Sequence, residues 1–129
     1  MENQVYNWLV KKGTIIFRKN GDFIALQLDY ENGESCLLTR SDNDEVVQLL
    51  TKISNQIWEN PNYERKPYTK QLYEKIDNDY YWEIDGSKLL LRYNEIENAT
   101  EIRSEESKEL NIEINYIVEI IQILEHLNR

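Results

Sequence analysis

The chain has 129 residues, 40% hydrophobic and 30% charged, which fits a single compact domain spanning 1–129 with enough apolar side chains for a core. Its 24 acids against 15 Lys and Arg give a net charge of −9, the wrong sign for neutralising nucleic-acid phosphates. No apolar run reaches the ~18 residues of a membrane helix, MENQVYNWLV lacks the marks of a signal peptide, and a lone Cys36 excludes an internal disulfide. These features predict a soluble, reduced, cytoplasmic protein.

In chain order, Asn3 to Lys12 suits a short helix with Val5, Trp8 and Leu9 inward and Gly13 as its cap. The alternation of Tyr6, Trp8 and Val10 suits a strand equally. Three turn signals then punctuate the sequence: Lys19-Asn20-Gly21-Asp22, Glu31-Asn32-Gly33-Glu34 and Ile84-Asp85-Gly86-Ser87. Asn-Gly and Asp-Gly supply the positive φ angles that tight antiparallel hairpins need. Their flanks alternate as half-buried strands do: Ile24, Leu26, Leu28 and Tyr30; Cys36 and Leu38; Tyr80, Trp82 and Ile84; Leu89, Leu91 and Tyr93.

A first amphipathic helix is marked by Val46, Leu49, Leu50, Ile53 and Ile57, with Asp42 as N-cap, Glu45 completing a capping box and Asn60-Pro61 as the stop. The connector Glu59 to Asp79 has no clean period and leaves room for a short strand or helix near Leu72 to Ile76. Leu110, Ile112 and Ile114 then alternate as a strand. A second helix follows, with Asn115 as N-cap and Ile117, Ile120, Ile121, Leu124 and Leu127 as its stripe, which Val118 and Ile123 widen. The halves look loosely alike, Glu45-Val46-Val47-Gln48-Leu49-Leu50 resembling Tyr116-Ile117-Val118-Glu119-Ile120-Ile121. The fold class expected is α+β, antiparallel β-meanders and hairpins packed against two main amphipathic helices.

Catalytic patterns fail early. His126, the single histidine, falls in the last turn of the second helix, where its partial positive charge suits the dipole. Cys36 reads as a small buried hydrophobe, with no cation or helix start beside it to make a thiolate. Asp42-Asn43-Asp44-Glu45 resembles part of a calcium loop but lacks its glycine and its closing glutamate, and helix capping explains it better. Asp77-Asn78-Asp79 reads as a turn before a weak cation site. No Gly-rich phosphate loop, nucleophile elbow or zinc spacing occurs, so no cofactor, no metal and no enzyme activity are expected.

Charge is the more informative signal. Residues 1–40 carry five acids and five bases, 41–79 eight against five, and 80–129 eleven against five. Glu95, Glu97, Glu101, Glu105, Glu106 and Glu109 crowd one stretch, and Tyr63, Tyr68 and Tyr73 stand in the connector, where a core absorbs them poorly. A carboxylate-rich surface speeds encounter with a basic partner, and Tyr provides rigid contact area with a polar tip. These nine residues are the candidate partner-binding set of a small acidic protein-binding module, an inhibitor that occludes a basic, nucleic-acid-handling site on a protein partner. Immunity proteins and phage-encoded anti-defence proteins share that size and charge, an analogy without a motif. No direct contact with nucleic acid or membrane is expected. The alternative is a small-ligand-binding domain with an aromatic pocket lined by Tyr80, Trp82 and Tyr93. An enzyme relying on Asp77 and Asp79 ranks third.

Overall fold

The computed structural model describes residues 5–30, 35–64, 70–105 and 108–128, including, within the first strand, the side chain of Tyr6. The elements are β1 (Val5–Leu9), β2 (Thr14–Asn20), β3 (Phe23–Asp29), β4 (Cys36–Leu38), α1 (Arg40–Trp58), β5 (Glu74–Ile76), β6 (Asp79–Ile84), β7 (Ser87–Asn94), β8 (Ala99–Ser104), β9 (Leu110–Glu113) and α2 (Ile114–Leu127). This is the α+β class: antiparallel sheets against two helices, neither of them long and apolar enough to cross a membrane.

The topology explains why the halves resemble each other. β1, β2 and β3 form a meander, and the place beside β3 is taken by β9 from the far end of the chain. β6, β7 and β8 form a second meander, and the place beside β8 is taken by β4 from the first half. Each half lends its fourth strand to the other's sheet and follows it with a helix. β5 adds a short outer strand beside β6.

Register makes the equivalence specific. Leu38 faces Thr100 across β4 and β8, as Ile112 faces Ile24 across β9 and β3. Thr39 and Glu113 are accordingly the N-caps of α1 and α2. Glu45-Val46-Val47-Gln48-Leu49-Leu50 therefore corresponds to Glu119-Ile120-Ile121-Gln122-Ile123-Leu124, one helical turn beyond the match that sequence likeness suggested. Val46 and Leu50 meet Ile120 and Leu124 in the core, with Ile15, Phe17, Ile24 and Leu26 from the first sheet. The void among these side chains is about 10 Å³, no more than one water fills. Of the three aromatics assigned to a ligand pocket, Tyr80 and Trp82 are buried in the core and Tyr93 is exposed.

Five local expectations are corrected. Val5–Leu9 is a strand, because β2 offers every residue from Val5 to Leu9 a ladder partner, whereas an isolated helix of that length is marginal. Gly13 serves a close approach instead of a helix cap: at φ +91°, a Cβ there would lie 2.7 Å from Cys36 Sγ and 2.8 Å from the Asp29 carbonyl. The capping box of α1 sits one turn earlier than expected, with Thr39 Oγ1 accepting from the Asp42 amide at 3.1 Å and Asp42 Oδ2 accepting from the Thr39 amide at 2.9 Å. α2 likewise begins at Ile114, ahead of Asn115, and its N-cap Glu113 makes no side-chain cap bond. Asn32-Gly33 lies outside the described residues, but its flanking strands do not pair: β4 goes to β8. The hairpins at Asn20-Gly21 and Asp85-Gly86 form as expected, as does the strand near Leu72 to Ile76.

Candidate functional site

The structure disperses the sequence-derived set. Glu95 and Glu97 lie in the turn between β7 and β8, while Glu105 and Glu109 follow the opposite end of β8. Glu106 and Tyr68 lie outside the described residues. Glu97 meets the Lys11 ammonium at 3.6 Å, and Glu109 is bound by the Arg18 guanidinium. Glu101 is only 4% exposed on β8, where Arg92 Nη2 donates to it at 3.2 Å and Asn94 Nδ2 at 3.1 Å. Burial opposes its charge, but the hydrogen bonds from Asn94, Arg92 and Ser35 prevail and hold its carboxyl below the usual range. Glu95 and Glu105 are exposed with no ion pair among the described residues. Tyr73 packs edge-on against Tyr80 and at a tilt against Trp82, with ring centroids 5.6 and 5.8 Å away, and belongs to the core's margin.

Tyr63 lies elsewhere, in a groove that sequence reasoning missed. Where β9 runs into α2, Glu113, Ile114 and Asn115 face Asp22 and Phe23 of the β2–β3 hairpin and Asn62, Tyr63 and Glu64 after α1, around a cavity of about 280 Å³. On the other side of Phe23 and Glu113, a cavity of about 420 Å³ is lined by Glu83, Ile84 and Asp85 of the β6–β7 hairpin, with Asn20, Asn111 and Tyr116. Both cavities are lined by Phe23 and Glu113, so they adjoin at that pair and make up one grooved face.

Strand alternation places this pair on the surface. Ile24 and Ile112 are fully buried and face each other, so their neighbours Phe23 and Glu113, also directly opposite, point outward together. Phe23 is 39% exposed at the groove's centre. Five acids line the groove (Asp22, Glu64, Glu83, Asp85 and Glu113), and no Lys or Arg does among the described residues. Lys108 reaches the rim by donating to the Asp85 carbonyl at 2.9 Å. Aromatic faces beside carboxylates suit cationic side chains: the apolar stem lies on the ring and the charged head meets the acids. The groove brings together residues distant in sequence, and only the Asn-Gly and Asp-Gly turns hinted that two of its walls were hairpin ends.

A carboxylate of α2 is internal as well. Glu119 is 1% exposed, accepting from Trp82 Nε1 at 3.0 Å and from the Leu72 amide at 2.9 Å, and so ties the connector and β6 to α2. Cys36 is fully buried, and burial pushes its thiol up to about 11. His126 stands exposed in the last turn of α2 beside the Tyr80 ring. No protein-family model, curated protein or solved structure matches this chain.

Proposed function

We propose that this chain is a non-catalytic protein-binding module, an inhibitor that occludes a basic, nucleic-acid-handling site on a partner protein. One observation supports the reading above the others: the aromatic groove around Phe23 is walled by carboxylates from four separate elements and by no described basic side chain. A site that holds phosphates is itself lined with Lys and Arg, and their heads and stems are what such a groove complements. The partner-binding role passes from the run Glu95–Glu109, three of whose five described glutamates are paired internally, to Asp22, Glu64, Glu83 and Asp85 around Phe23 and Tyr63.

The test begins with capture of the partner from the native host on immobilised chain, followed by a displacement assay with labelled nucleic acid. The chain is expected to displace nucleic acid from the captured protein. A variant with Glu95→Lys and Glu105→Lys should still do so, whereas Asp22→Lys, Glu83→Lys and Asp85→Lys together should not. The neutral set Asp22→Asn, Glu83→Gln and Asp85→Asn guards against misfolding and should weaken displacement at least tenfold. Equal displacement by both reversal variants, or none by the unmodified chain, overturns the reading.

A further inference from the structure

Resting on the groove as a binding surface, we propose its occupant: a lysine on an extended segment of the partner, laid along the outer edge of β9. The template is inside the molecule. The junction of β4 and α1 is the equivalent, in the first half, of the junction of β9 and α2, and it too opens on a cavity, of about 320 Å³. There the chain fills its own seat. Lys11, from the β1–β2 connection, donates through Nζ to the Glu97 carbonyl at 2.7 Å and lies 3.6 Å from the Glu97 carboxylate. The next residue, Lys12, bridges the edge of β4, exchanging backbone hydrogen bonds with Leu37 at 3.2 and 3.0 Å.

Among the described residues, each part of that seat has a counterpart at the second junction except the lysine. Glu97 belongs to the β7–β8 turn, and the equivalent β2–β3 turn supplies Asp22. Lys11 belongs to the β1–β2 connection, and the equivalent β6–β7 turn supplies Asp85, with Glu83 beside it. An acid thus replaces the cation and leaves two acidic walls facing each other. Ala99, at the start of β8, corresponds to Phe23, which adds a platform for a lysine stem. Leu37 corresponds to Asn111, and β9 is the last strand of its sheet, with no strand on its outer side among the described residues. A segment placed there pairs with Asn111 as Lys12 bridges Leu37 on β4, with its preceding lysine between Asp22 and Asp85.

The test is amide chemical-shift titration of the full chain with the peptide acetyl-Ala-Ala-Lys-Ala-Ala-amide and with its norleucine analogue. The lysine peptide should shift Phe23, Ile84, Asn111 and Glu113 with a dissociation constant of about 1–10 mM, and the analogue should bind at least tenfold more weakly. Lys11→Ala vacates the lysine position alone, Lys12 still holding the edge of β4, and should add a second set of shifts at Asn98 and Ala99. Groove residues unmoved up to about 10 mM peptide, equal binding by the analogue, or a Lys11→Ala variant with no second set each overturn the proposal. The displacement assay separates the two levels: the lysine seat falls alone if Asp22, Glu83 and Asp85 still govern displacement.

Discussion

Glu119 shows how far a residue's chemistry depends on its partners. In sequence it is one acid in an acidic run, yet the fold buries it to hold the Trp82 indole and the Leu72 amide. Removing the acceptor leaves two buried donors unpaired, each costing about 1–3 kcal/mol. Glu119→Ala should therefore lose about 2–4 kcal/mol in urea unfolding, and Glu119→Gln, which keeps one acceptor oxygen, about half of that. A cost below about 0.5 kcal/mol for Glu119→Ala would contradict the latch. Cys36 yields a second expectation. Its thiol is buried and titrates near 11, so a thiol reagent at pH 8 should leave the native chain unmodified and label it at once after denaturation. The folded state holds this proton more tightly than the unfolded chain does. Its stabilising contribution is thus complete below the thiol's ordinary value of 9.0 and is lost as pH rises through about 11. Cys36→Ala should flatten that part of the stability profile.

At the scale of elements, the two helix starts occupy equivalent places and are finished differently. Thr39 and Asp42 close a reciprocal capping box on α1, while Glu113 caps α2 without one. Thr39→Ala should cost about 1 kcal/mol, and Glu113→Ala clearly less, in paired thermal or urea unfolding. Equal costs would mean that the box adds nothing. The sequence made the elements legible where local chemistry decides them. Asn20-Gly21 and Asp85-Gly86 fixed two hairpins, and the stripes of Val46, Leu50, Ile53 and Ile57 and of Ile117, Ile120 and Leu124 fixed two buried helix faces. It failed where a partner decides. Residues 3–12 carry both helical and alternating patterns, and β2 alone settles the matter. β4 follows a turn signal yet pairs with β8, since an Asn-Gly reversal says nothing about which meander has an open edge. The groove was illegible for the same reason: Asp22, Glu64, Glu83 and Glu113 come together only once β9 crosses to β3.

The whole molecule is two equivalent units that exchange their fourth strands, so neither sheet is completed by its own half. Exchange creates two junctions where a strand of one half enters a helix beside a hairpin of the other. One junction is bridged by Lys11 and Glu97, and the other carries acids on both walls. Because five carboxylates line that junction, association should be steered by charge. The association rate should fall with added salt as the screening length shortens to about 8 Å near physiological strength, the dissociation rate changing less. An association rate indifferent to salt would remove electrostatic steering. The most direct measurement is amide hydrogen exchange of the chain alone and bound to its captured partner. Slower exchange on binding is expected at residues 20–23, 83–86 and 111–116, with 95–98 unchanged. Protection confined to 95–98 and the residues around Glu105 and Glu109 would show that the partner covers a different face.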